Sequence, residues 1–163
     1  MIILVYGLPG TGKSFFAQLL AKKLNAVHLS EDMIRDKLNA KGVNDESTQQ
    51  QIYNELYKQI MIELRGKHEM IVEGVFIKSI RREMVKNIAV EIDEPIYLIE
   101  LRADESTVKK RLRKTRRHNN IGFEQYKLME QEFEPESDHH LVLLTDEEPV
   151  EDRVARAIRF IKE

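Results

Sequence analysis

Residues 7–14 read GLPGTGKS, and Gly7, Gly12, Lys13 and Ser14 satisfy the spacing G-x-x-x-x-G-K-[ST]. Glycines at these positions let successive backbone N–H groups converge on an anion, and a helix that starts at the lysine adds the positive end of its dipole. The stretch Gly7, Leu8, Pro9, Gly10, Thr11, Gly12, Lys13, Ser14 and Phe15 is therefore expected to cradle a polyphosphate. Lys13 is placed to reach the β- and γ-phosphates as a point charge, and the Ser14 hydroxyl to hold Mg²⁺.

A second pair follows. In SEDMIRDKL, residues 30–38, Asp32 and Arg35 stand three positions apart on one face of an expected helix. Beyond the end of a buried strand, such a carboxylate can take the proton of an attacking hydroxyl while the arginine binds the acceptor or developing phosphoryl charge. The plainer account is that an acid in a first helical turn suits the dipole and that Ser30 is an ordinary N-cap.

Charge is segregated along the chain. The formal net charge is only −2, yet residues 109–118 read KKRLRKTRRH and residues 146–152 read DEEPVED. Arg111, Arg113, Arg116 and Arg117 exceed what a merely solvated helix requires. Such clusters also track nucleic-acid backbones, but this one lacks interleaved aromatic residues, so nucleic acid is not the favoured partner. Arg81 and Arg82 follow the loop GVFIKSI and are read either as acceptor contacts or as solvent-facing charges. Adjacent histidines in DHH, residues 138–140, lack a helical metal spacing and are expected to bind nothing.

These residues need a scaffold. Short apolar runs at Ile2–Tyr6, Val27–Leu29, Met70–Val72, Ile96–Leu101 and Leu141–Leu144 lack polar alternation, as strands buried on both faces do. Between them, helical spacing covers Lys13–Leu24, Glu31–Ala40, Glu46–Leu64, Ser79–Ala89, Asp104–Arg117, Gly122–Glu132 and Val150–Ile161. Strand and helix alternate, which predicts an α/β fold: one five-stranded parallel sheet with helices on both faces.

Composition sets bounds. At 163 residues the chain is expected to be a single domain spanning 1–163. With 42% hydrophobic and 33% charged residues and no long apolar run, no membrane span or signal sequence is expected, and the reading is a soluble cytoplasmic protein, monomeric or homodimeric. The absence of cysteine excludes disulfides, thiolate metal sites and thiol nucleophiles.

Taken together, GLPGTGKS, LSEDMIRDKL, MIVEG and LIELRADESTVKKRLRKTRR resemble the small P-loop kinases of the polynucleotide-kinase-like and zeta-toxin-like group, relatives of the nucleoside monophosphate kinase fold. The resemblance spans most of the chain and implies a three-layer P-loop NTPase fold with a helical lid, here the basic segment at about residues 109–122. It implies an ATP-dependent phosphotransferase acting on a hydroxyl-bearing acceptor, with ATP and Mg²⁺ as cofactors. In that group D-x-x-R supplies a catalytic base and a substrate-binding arginine, which maps onto Asp32 and Arg35. MIVEG resembles the Walker B strand and makes Glu73 a metal-supporting acid, where the group more often has Asp. Lid arginines close over the phosphates in that group; Arg111 and Arg116 are the matching candidates for catalysis and Arg117 for the nucleotide. A nucleotide-binding switch that hydrolyses ATP slowly or not at all would use the same loop without an acceptor pocket, and a polynucleotide 5′-hydroxyl kinase would add a salt-sensitive interface.

Overall fold

The computed structural model describes residues 1–114 and 121–163. Five strands form one parallel sheet: β1 Ile2–Tyr6, β2 Val27–Ser30, β3 Met70–Gly74, β4 Ile96–Arg102 and β5 Leu141–Leu144, in the order β2-β3-β1-β4-β5. Helices α1 Lys13–Leu24, α2 Glu31–Lys37, α3 Glu46–Arg65, α4 Ser79–Ile92, α5 Glu105–Lys114, α6 Phe123–Glu132 and α7 Val150–Lys162 connect and follow them. The strand and helix positions match the sequence reading to within a few residues at their ends. Two ends differ by three residues: α4 runs on to Ile92, and α2 stops at Lys37, where Asn39 takes a left-handed φ of 51° and turns the chain away.

Alternation along β1 builds both layers, since successive side chains of a strand point to opposite faces. Ile2, Leu4 and Tyr6 pack with Ile52, Leu56 and Ile60 of α3 and Val85 and Ala89 of α4. Ile3 and Val5 face the other way, against Phe16 and Leu20 of α1 and Val154 and Ala157 of α7. Apolar on every residue, β1 is the central strand that the unbroken hydrophobic run predicts.

The order places a crevice. β1 and β3 are neighbours in register Val5↔Glu73 and Tyr6↔Gly74, but the chain leaves β1 for α1 on one face and leaves β3 for α4 on the other. Where adjacent strands send their connections to opposite faces, an open α/β sheet has its ligand crevice beyond the strands' carboxyl ends. No helix among the described residues is long and apolar enough to cross a membrane.

Candidate active site

The loop between β1 and α1 forms the floor of that crevice. Gly7, Gly10 and Gly12 all have positive φ, at 148°, 78° and 84°. Gly7 is also sterically required, because a Cβ there would lie 2.4 Å from the Leu101 carbonyl oxygen. Leu8 turns its carbonyl inward, where it accepts from Thr11 Oγ1 at 2.8 Å and from Lys13 Nζ at 2.9 Å. Pro9 and Thr11 are buried, while the Phe15 side chain is exposed and leaves only its backbone to the helix start.

Lys13 is buried. Burial pushes its pKa below the ordinary lysine value, and the carboxylates of Glu73, Glu31 and Asp32 push back. One ammonium thus stands in the field of three acids that the sequence carries on two different elements. Ser14 Oγ lies 3.3 and 3.2 Å from the two oxygens of Glu73, whose carboxylate is 4% exposed at the end of β3. A hydroxyl and a buried carboxylate side by side are hard oxygen donors of the kind Mg²⁺ takes, so these residues fit the metal that the loop motif implies. Behind Glu73, His28 of β2 brings Nε2 to 3.6 Å from Oε2.

Asp32 and Arg35 part company in the fold. Both lie on α2, which Ser30 caps by accepting from the Met33 N–H at 3.1 Å. Asp32 is half-buried at the crevice and within the electrostatic reach of Lys13. Arg35 is buried, donates to the carbonyls of Val43 at 2.6 Å and Ala40 at 3.5 Å, and stands 3.6 Å from Glu31. Its guanidinium is therefore spent on the α2–α3 connection, not turned toward an acceptor.

Glu31 is the site residue that sequence reasoning missed. It is 7% exposed; Oε2 accepts from the Val75 N–H at 3.0 Å and from Tyr53 Oη at 3.2 Å. Burial raises its pKa, while the Val75 N–H, Arg35 and Tyr53 act against the rise. Gly74 permits the approach, since a Cβ there would sit 2.7 Å from Glu31 Oε2 and 2.8 Å from the Phe76 ring. Phe76 itself holds a φ of 45°, a costly conformation for an aromatic residue, fixed by full burial and an edge-on contact with Tyr53. The spacing of Glu31 to Arg35, four residues on, is the one local signal; the hydrogen-bond partners that fix its Oε2 lie 22 and 44 residues away.

The basic segment is partly visible. Arg111 Nη1 donates to Thr145 Oγ1 at 2.7 Å and to the Gly10 carbonyl at 3.3 Å, and Nη2 donates to the Thr145 carbonyl at 3.1 Å. A Cβ at Gly12 would lie 3.6 Å from Arg111, so this arginine sits against the phosphate loop. Thr145, first residue of the acidic loop after β5, is the second contact that spacing alone did not reveal. Arg116 and Arg117 lie outside the described residues.

One expectation is corrected nearby. Arg82 is neither an acceptor contact nor solvent-facing: it is fully buried and donates to Glu136 at 2.9 Å and to the carbonyls of Phe76 at 2.6 Å and Glu134 at 2.7 Å. Asp138 belongs to an acidic group with Glu83 and Glu136, but Lys86 Nζ lies 2.7, 2.7 and 2.9 Å from Glu83, Asp138 and Glu136, supplying the positive charge itself. The histidines beside it face other partners, His139 the Phe160 ring and His140 the carboxylate of Glu100.

With this geometry in place, comparison with known proteins gives a family. Residues 2–136 match the model of the AAA domain family, and the chain belongs to that family. No curated protein matches it in sequence. Similar solved structures include a sugar kinase from Janibacter sp. HTCC2649, with 15% identity, a TM-score of 0.77 and coverage of 99% of this chain and 94% of that one. The Mycobacterium tuberculosis APS kinase in complex with AMPPNP and APS shares 15% identity at a TM-score of 0.75, covering 99% of this chain and 97% of its own. Chaetomium thermophilum Kti12 in complex with ADP-AlF3 shares 14% identity at a TM-score of 0.75, covering 99% of both chains. At these identities the likeness establishes the fold, the three-layer P-loop NTPase fold of kinases.

Proposed function

We propose that the chain is an ATP-dependent phosphotransferase of the small P-loop kinase type, in the polynucleotide-kinase-like and zeta-toxin-like group, which moves the γ-phosphoryl group of ATP to a hydroxyl acceptor. One arrangement carries this reading: Asp32, in the first turn of α2 directly after β2, is a half-buried carboxylate outside the phosphate loop, and its charge acts on the buried Lys13 together with those of Glu73 and Glu31. A loop that only stored nucleotide would not need an acid at its rim beyond the metal-holding Glu73.

In this reading the amides of residues 7–14 and Lys13 hold the triphosphate. Ser14 and Glu73 would hold Mg²⁺, which supplies charge neutralisation across the β- and γ-phosphates. Asp32 takes the acceptor hydroxyl's proton. The acceptor oxygen forms a bond to the γ-phosphorus, the bond from that phosphorus to the β–γ bridging oxygen breaks, and its electron pair leaves with ADP. Arg111 at the loop, with Arg116, stabilises the charge spread over the transferred group, and Arg117 binds the nucleotide. Arg35 contributes by fixing α2, and so Asp32, against the α2–α3 connection. Catalysis of this kind is mainly positioning and electrostatics.

The test is transfer from γ-labelled ATP across a panel of sugars, sugar acids, nucleosides, nucleotides and 5′-hydroxyl oligonucleotides, with Asp32→Asn as control. Stoichiometric labelled product that disappears in the variant is expected. Release of inorganic phosphate alone, or no turnover with any acceptor, would place the chain among nucleotide switches.

A further inference from the structure

Arg81 differs from every other basic residue around the crevice. Its guanidinium carbon lies 4.4 Å from the centroid of the Tyr53 ring, the same tyrosine whose hydroxyl donates to Glu31, and Tyr57 Oη holds the Arg81 carbonyl at 3.1 Å. The side chain is half-buried. Among the described residues, nothing accepts from its guanidinium N–H groups. The adjacent acids are taken: Glu31 Oε2 is filled by Tyr53 and Val75, its Oε1 faces Arg35, and Asp32 has a partner of its own. Lys78 and Arg82, on either side, are paired with Glu134 and Glu136.

A guanidinium stacked on an aromatic face keeps its planar edge of N–H donors free, and that edge matches the two oxygens of a carboxylate or phosphate. Stacking also holds the side chain in place before any ligand arrives, which removes part of the ordering cost of binding. We propose that Arg81 on Tyr53 is an oxyanion subsite on the acceptor side of the crevice, so that the acceptor carries a carboxylate or a phosphate in addition to its hydroxyl. This rests on the phosphotransferase reading for the word acceptor; the anion site itself does not. Glu31 and Asp32 oppose an anion nearby, which Arg35 and Lys13 offset.

The test uses the whole chain saturated with Mg·AMPPNP, so that the phosphate loop is filled, titrated at constant ionic strength with acetate in one arm and inorganic phosphate in another. Binding is read by calorimetry and by the NMR shift of the Arg81 Nε–H. Saturable binding is expected in at least one arm, with affinity lowered about tenfold or more in Arg81→Gln and unchanged in Lys22→Gln. Arg81→Lys, which keeps the charge and loses the fork, is expected in between. No saturable binding in either arm, or equal affinity in Arg81→Gln, overturns the proposal. If Arg81→Gln does not fold, the Nε–H shift in the unaltered protein decides, and its absence overturns the subsite. Transfer to a neutral alcohol that Arg81→Gln leaves untouched would overturn the subsite and keep the transferase; anion binding through Arg81 without transfer to any acceptor would do the reverse.

Discussion

The two sides of the crevice are built in opposite ways. On the phosphate side the contacts are local, Thr11 and Lys13 both closing onto the Leu8 carbonyl three and five residues back. On the acceptor side Glu31 is held by residues 22 and 44 positions away, and Tyr57 reaches the backbone of Arg81 across 24. A site made from eight consecutive residues can be transplanted among many reactions. One assembled from α2, α3 and the start of α4 depends on contacts far apart in the chain, and in the phosphotransferase proposed above it is where an acceptor would be chosen.

Separate substitutions should therefore separate the two sides. The largest effect is expected from Asp32→Asn, a fall of about 10³-fold in transfer with nucleotide affinity nearly unchanged, measured by turnover against analogue binding. Loss of binding together with turnover would erase the distinction. Lys13→Ala is expected to do the converse, weakening triphosphate binding and transfer about 10²-fold or more while acetate still binds at Arg81. Glu73→Gln should raise the Mg²⁺ concentration needed for half-maximal nucleotide binding about 10- to 100-fold, read from a metal titration; an unchanged requirement would remove Glu73 from the metal.

The smallest effect concerns stability. Burial alone would raise the pKa of Glu136, but hydrogen bonds from Lys86, the Asp138 N–H and Arg82 outweigh it and hold the carboxyl down at about 2, against an ordinary 4.5. A group whose pKa is lower when folded stabilises above its unfolded value and loses that contribution as pH falls toward the folded one. Glu136→Gln should thus cost roughly 2–3 kcal/mol at pH 7, and its deficit relative to the parent should shrink between about pH 4.5 and pH 2 in denaturant melts. A deficit independent of pH would show that packing, not charge, holds this carboxylate.

Most of the architecture was legible because parallel strands covered on both faces must be apolar throughout, and β1 and β5 span the same residues in sequence and structure. The phosphate loop was legible for the same reason that it is local. The buried contacts of Arg35 and Arg82 were not legible because a charged residue on a helix looks alike whether it faces a ligand or a buried carbonyl. Only the paths of the α2–α3 connection and of residues 134–136 decide, and no periodicity encodes them. Glu31 was hidden by Asp32, since adjacent first-turn acids read as dipole complements until Tyr53 arrives from α3.

The chain that follows α6 does not hang free. Glu134 accepts from the Ser79 N–H and hydroxyl at 2.6 and 2.7 Å, and Glu136 grips Arg82. The return path from the basic segment is thereby riveted to the first turn of the helix that carries Arg81. In the phosphotransferase proposed above, a movement of α5 and α6 would therefore be carried through these bonds into α4, the helix that bears Arg81.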